Sequence, residues 1–278
     1  MHIYRLQRRL SHADVDFLGE LKMAALLGLL EQAAVEASTA LGFDAEWYMR
    51  EGRIWIIHRT RVERHVPVGG GDTVEVETQI ADFRRVRSLR RYCVRRGTTI
   101  VAQASTDWVY CDLATGRPTR IPESMQHVFS NGEGPALLPR PPALAASPAE
   151  PAQEMALTVA PSHLDHVIHV NNAVYLNFLE DAALAVFATH GWPLSRMLAA
   201  GGALRLRCVD IEYLRDAQVD ERLRVRSWLQ DGNVAGEALS TAGLLHSIAD
   251  ADGLDVVRAR TDWVWRRKPT VIGGVPPA

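Results

Sequence analysis

The run HLDHVIHVNNAVYLNFLEDAA, residues 163–183, decides the fold, because the chain carries it twice. Its echo is DVDFLGELKMAALLGLLEQAA, residues 14–34. Asp16 falls on Asp165 and Glu31 on Glu180 at one offset of 149 residues (165 − 16, 180 − 31). Val74-Glu75-Val76 then falls on Leu223-Arg224-Val225. Thr106-Asp107-Trp108 returns as Thr261-Asp262-Trp263, where the offset has grown to 155 (261 − 106). An ordered series of matches at a near-constant period is the mark of a duplicated structural unit.

Outward from the run, each copy reads alike. A short alternating strand opens it, Ile3 to Arg9 and Ala156 to Ala160, and a loop follows. Next comes a long apolar segment, Leu21 to Leu41 and Asn172 to His190, rich in strong helix formers in the first copy. About 20 residues make a helix of roughly 30 Å. Being apolar on nearly every side, it belongs inside the molecule. Gly42 and Gly191 supply helix stops. The period then changes to two. The first copy gives strands over Ile54–Val66, Thr73–Phe83, Ser88–Arg96 and Thr98–Asp112, with a turn at Gly69 to Asp72. The second gives Ala203–Leu214, Arg222–Leu229, Ala235–Ser247 and Leu254–Arg266, with a turn at Asp231-Gly232-Asn233. An antiparallel sheet curled around the long helix buries it most simply, so the class is α+β. The copies span residues 1–130 and 155–278. Between them, residues 131–154 hold six prolines and read as an extended linker.

Composition narrows the function. Net charge is −2, and residues 1–130 hold 18 Lys+Arg against 16 Asp+Glu, so no basic surface for nucleic acid is indicated. The apolar run Met23 to Leu30 is too short to span a membrane, and the Arg-rich first ten residues lack the apolar core of a signal peptide. Cys93, Cys111 and Cys208 stand singly within strand-like stretches. Free thiols in a cytoplasmic protein are the expectation. His163, His166 and His169 lack a completing ligand pattern, so no metal or other cofactor is expected.

The element from Asp165 through His169-Val170-Asn171-Asn172 and Tyr175 to Glu180 resembles the signature of hotdog-fold thioesterases. The duplication, with Gly19 to Lys22 and Leu30 to Ala34 in a less complete first copy, resembles the plant and bacterial acyl-acyl-carrier-protein (acyl-ACP) thioesterases. The resemblance implies two tandem hotdog domains that hydrolyse acyl thioesters of acyl carrier protein or coenzyme A. It puts the catalytic groups in the second copy, on Asp165, His169 and Asp216, the last by its place after Glu212-Tyr213. Val167 replaces an Asn of the plant enzymes, and Ile168 stands where relatives often have Gly.

Thioester hydrolysis needs an activated water or nucleophile and donors for the developing oxyanion. A helix start offers unpaired N–H groups, so the amides of Ile168, Val170, Asn171 and Asn172 are candidates to polarise the carbonyl, with Tyr175 beside them. Asp165 would serve as base or nucleophile, and His169, helped by Asp216, would orient water or protonate the leaving thiolate. Each has a structural alternative. Asp165 would cap a loop, His169 would be a satisfied polar group, and Asp216 a surface acid. Glu180 and Val167 are supporting candidates, Glu180 as a brace because Glu31 keeps the same place. Glu20, Lys22 and Met23 replace His169, Asn171 and Asn172 in the first copy, which is expected to complete the fold and house the acyl chain. Seven arginines from Arg84 to Arg96 offer a docking face for an acidic carrier or for phosphates, against the alternative of a solvated strand face. Two other functions compete: a non-catalytic acyl or acyl-thioester binding module, and a hotdog hydratase. The hydratase loop Asp-x-Asn-Pro-x-His is missing here. A fused pair allows a monomer, and a homodimer is equally open.

Overall fold

The computed structural model describes residues 2–130, 141–146, 148, 153–165, 167–232 and 240–267. The first copy runs β1 (Tyr4–Arg9), α1 (Met23–Thr39), α2 (Ala45–Glu51), β2 (Arg53–Arg64), β3 (Thr73–Phe83), β4 (Arg87–Arg96), β5 (Thr99–Asp112) and α3 (Glu123–Ser130). The second runs β6 (Gln153–Thr158), α4 (Asn172–Thr189), α5 (Leu194–Ala199), β7 (Gly202–Tyr213), β8 (Arg222–Gly232), β9 (Thr241–Ala249) and β10 (Asp255–Arg267).

The ten strands form one antiparallel sheet in the order β1-β3-β4-β5-β2-β7-β10-β9-β8-β6. Each copy contributes five neighbouring strands, and among the described residues β2–β7 is the one strand pairing between them. The long helices α1 and α4 pack on each other. Met23, Leu26, Leu30 and Ala33 of α1 and Leu176, Leu179, Ala183 and Phe187 of α4 are almost wholly inaccessible. Their spacing covers one broad apolar face per helix, which the sheet removes from water.

The seam has internal two-fold character. β2 pairs with β7 from Arg59↔Glu212 to Glu63↔Cys208, centred on Arg61↔Asp210, residues 149 apart (210 − 61). Both strands bulge at equivalent places, His58 where β2 meets β5 and Arg207 where β7 meets β10. The register of the seam therefore follows the sequence repeat. A bidentate pair joins Arg59 to Asp210, at 2.7 and 2.8 Å, and Arg59 Nη1 reaches Glu212 Oε1 at 3.1 Å. The same Nη1 donates to the Pro142 carbonyl at 2.5 Å, and the Leu144 N–H donates to Glu212 Oε2 at 3.0 Å. Residues 141–146 of the Pro-rich segment are thus fastened across the seam.

Several sequence expectations need correction. The short helices α2, α3 and α5 break what read as plain connections. α2 carries its own signals, since Asp44 accepts from the Trp47 N–H at 2.8 Å and Gly52 stops it at φ 62°. α3 helps cover a second apolar cluster of Ile80, Phe83, Tyr110, Ile121, Met125 and Phe129. β6 begins at Gln153, two residues inside the expected linker. Asp231 and Gly232 are strand residues of β8 rather than a turn, while Asn233 and Ala235 lie outside the described residues. Arg90 is buried, with its guanidinium 5.8 Å from the Phe129 ring, so it is no part of a docking face.

Candidate active site

Asp165 opens a tight loop closed by the bridge between Leu164 and Val170. Its N–H donates to the His169 carbonyl at 2.9 Å, and its own carbonyl accepts from Ile168 N–H at 3.1 Å. Its carboxylate Oδ1 accepts from the N–H groups of Val167 (2.9 Å) and His169 (3.3 Å). The first copy builds the same loop. Asp16 Oδ1 accepts from Leu18 N–H (2.7 Å) and Glu20 N–H (3.2 Å), and Val15 bridges Leu21. One carboxylate oxygen of each Asp is therefore a loop brace. The other distinguishes the copies: Asp16 Oδ2 is paired with Arg205, whereas among the described residues no cation pairs with Asp165.

At the loop tip Ile168 has φ 64°, where the first copy has Gly19 at φ 79°. A β-branched residue strains that conformation, while glycine adopts it freely. Ile168 is also 62% exposed, so little packing offsets the strain. Ile168→Gly is expected to raise stability by about 1 kcal/mol, in the usual range for one strained residue. A denaturant midpoint that falls instead would contradict this.

His169 follows the strained tip, and its Nδ1 lies 3.6 Å from Asp216 Oδ2 with both side chains partly open to solvent. Asp216 sits in the loop leaving β7, which is anchored on all sides. The Leu214 N–H donates to the Val256 carbonyl at 2.8 Å, and the Ala217 carbonyl accepts from Val170 N–H at 3.3 Å. Arg215 binds Glu221 (2.5 Å), Asp250 (2.7 Å) and the Asp216 carbonyl (2.7 Å). The structure thus brings Asp165, His169 and Asp216 to one place from two elements.

The helix start is less open than the sequence suggests. Ile168 N–H bonds Asp165, Val170 N–H bonds Ala217, and Asn171 N–H bonds the His163 carbonyl at 2.9 Å. Asn171 is the N-cap, its Oδ1 accepting from Ala173 N–H at 2.8 Å. Asn172, the first residue of α4, is left as the donor of this series that a helix start leaves without an intrahelical acceptor. The Tyr213 hydroxyl donates to the Asn172 carbonyl at 3.1 Å and holds this turn in place. Tyr213 was legible only as half of the Glu212-Tyr213 pair. Tyr175 is buried 5.8 Å from it, ring to ring, and burial raises both phenol pKa values.

Glu180 is not brought to Asp165. It lies 3.8 Å from Arg205, in the cluster around Asp16, and burial pushes its carboxyl pKa up against the pull of Arg205 and Arg64. His163 Nδ1 accepts from Ala160 N–H at 3.0 Å, which places it in the loop framework. His166 lies outside the described residues, and among these no cluster fit for a metal forms. Two small crevices flank the seam. One is bordered by Glu20, Arg64 and Arg205 and the other by Glu31, Tyr92 and Trp108; neither is lined by Asp165, His169 or Asp216. No helix among the described residues is long and apolar enough to cross a membrane.

Comparison with known proteins places this geometry. Residues 2–129 match the acyl-ACP thioesterase N-terminal domain, and residues 159–270 match the thioesterase-like superfamily. The palmitoyl-acyl carrier protein thioesterase of Arabidopsis thaliana chloroplasts is 26% identical over 96% of this chain and 61% of its own length. The dodecanoyl-[acyl-carrier-protein] hydrolase of Cinnamomum camphora chloroplasts is 26% identical over 87% of the chain and 62% of its own. The chain therefore spans about three fifths of each of these two relatives. A putative oleoyl thioesterase from Lactobacillus plantarum superposes with a TM-score of 0.79 at 18% identity, covering 97% of this chain and 98% of that one. The 12:0-ACP thioesterase from Umbellularia californica gives 0.74 at 20% identity, covering 96% and 99%. These likenesses fix the thioesterase hotdog-type fold, and the two matched segments show that the chain is similar to the acyl-ACP thioesterases in its first half and to the thioesterase-like superfamily in its second.

Proposed function

We propose that the chain hydrolyses acyl thioesters, with acyl carrier protein as the preferred carrier and coenzyme A as the alternative. The observation that carries this reading is the convergence of Asp165, a carboxylate with no cation partner among the described residues, with the His169–Asp216 pair in the loops before α4 and after β7. The thioester carbonyl would point at the Asn172 N–H, where the helix dipole favours the developing negative charge. Asp165 would take a proton from the attacking water, or attack directly, through the oxygen not committed to the loop. His169 would return a proton to the departing thiolate, with Asp216 beside its Nδ1 to orient the ring. Val167 contributes its N–H to holding Asp165 rather than a side-chain function. Val170 and Tyr175 would shape the apolar wall beside the carbonyl, and Asn171 keeps the helix start in place.

The architecture is read as two tandem hotdog domains, residues 1–130 and 155–278, joined by residues 131–154. The grouping of each copy's five strands as neighbours in the sheet and the 149-residue register at the seam support that reading. A fused pair of this kind can act as a monomer. The three free cysteines fit the cytoplasm.

Free thiol released from a panel of acyl-ACP and acyl-CoA substrates tests the activity. Turnover is expected with the carrier-bound series ahead of the coenzyme A series. Tight binding without any thiol would instead establish an acyl-binding module.

A further inference from the structure

The internal two-fold sets the Asp16 loop against the Asp165 loop as its equivalent, and an arginine occupies the Asp16 carboxylate. At the Asp16 loop, Arg205 from β7 pairs with Asp16 Oδ2, lies 3.8 Å from Glu180 and covers the Phe17 ring at 5.1 Å. Arg64 lies against it, donating to the carbonyls of Leu21 (2.6 Å) and Leu206 (3.0 Å). Both arginines are nearly inaccessible, Arg205 at 3% and Arg64 at 8% exposure. The equivalent positions at the Asp165 loop follow from the 149-residue offset. Arg64 becomes Tyr213, Glu20 becomes His169, Glu180 becomes Glu31 and Arg205 becomes Ile56. Strand pairing supports the last match, since Ile56 lies opposite Val109 and Arg205 opposite Val264, within the repeated segment. Ile56 is only partly buried.

We propose that Arg205 closes a latent second substrate cleft, and that Ile56, from the first copy, leaves its counterpart open as a wall of the Asp165 site. The guanidinium of Arg205 then marks where the thioester group sits in the open cleft, between the loop carboxylate and the helix glutamate of the other copy. Ile56 is accordingly a positioning residue contributed across the seam. A cation there would seize Asp165 as Arg205 seizes Asp16. This rests on the thioesterase reading only for its catalytic arm.

The test is a four-member set: the parent, Ile56→Arg, Asp165→Asn and the double variant, each followed by thermal melting and thioester turnover. Asp165→Asn is expected to cost about 3 °C more in the Ile56→Arg background than in the parent, the size of a roughly 1 kcal/mol coupling in a chain of this length. Ile56→Arg alone is expected to lower kcat/KM at least about 100-fold, as loss of the catalytic carboxylate would. Arg205→Met keeps the parent's turnover. Equal melting costs in both backgrounds, or parental turnover by Ile56→Arg, would overturn the proposal. If the parent itself releases no thiol, the thioesterase reading fails while the melting comparison still decides the proposal. Should Ile56→Arg not fold, Ile56→Cys labelled after folding with a cationic methanethiosulfonate supplies the charge. The same coupling is then read against the labelled parent, which controls for Cys93.

Discussion

Asp165→Asn is expected to lower kcat about 1,000-fold, within the range for a lost acid–base group, while leaving the fold intact. The substitution separates two roles of one side chain. An asparagine oxygen still accepts from the Val167 and His169 N–H groups, which are the bonds that shape the loop. What disappears is the charge on the outward oxygen. The melting temperature should therefore stay within about 3 °C of the parent, corresponding to less than about 1 kcal/mol. Asp165→Ala removes both roles and should lose stability as well. Steady-state turnover and a melt on the same preparations check this. An Asn variant with parental turnover would reduce Asp165 to the loop brace that Asp16 also is.

The largest stability effect is expected at the seam. Arg59→Met takes the cation from two carboxylates, the buried Glu212 and the partly buried Asp210, and it releases the Pro142 carbonyl. Breaking one side of a buried ion pair costs about 3–5 kcal/mol, so the melting temperature should fall by roughly 10 °C. Replacing all three charged groups with apolar residues of similar size should recover much of this, because desolvation of the charges then disappears with them. Chemical denaturation of the single and triple variants measures both. A single variant as stable as the parent would remove the Arg59 network from the forces joining the halves.

How much of this was legible follows the range of each interaction. Helix formers and period-two strands are local signals, and α1, α4 and most strand bounds sit within two residues of their sequence expectations. The repeat carried more, because it located the Asp165 loop and its equivalent before any coordinate. The seam was not legible, since pairing between β2 and β7 depends on edges left free after each copy has folded. Arg90 read as surface because it lies in the arginine-rich run from Arg84 to Arg96, yet alternation turns it onto the face covered by Phe129. Arg205 was missed for a different reason. It looks like an ordinary strand residue until the 149-residue offset sets it against Ile56. The amides of the α4 start were over-counted because loop carbonyls and the Asp165 carboxylate claim most of them, which local sequence does not reveal.

A crystal structure of Asp165→Asn holding an uncleaved acyl-pantetheine thioester would test the central claim most directly. The account predicts the carbonyl carbon about 3–3.5 Å from the residue 165 side chain, near-attack distance, with the carbonyl oxygen facing the Asn172 N–H. A thioester bound away from this loop, with its carbonyl turned from α4, would contradict it.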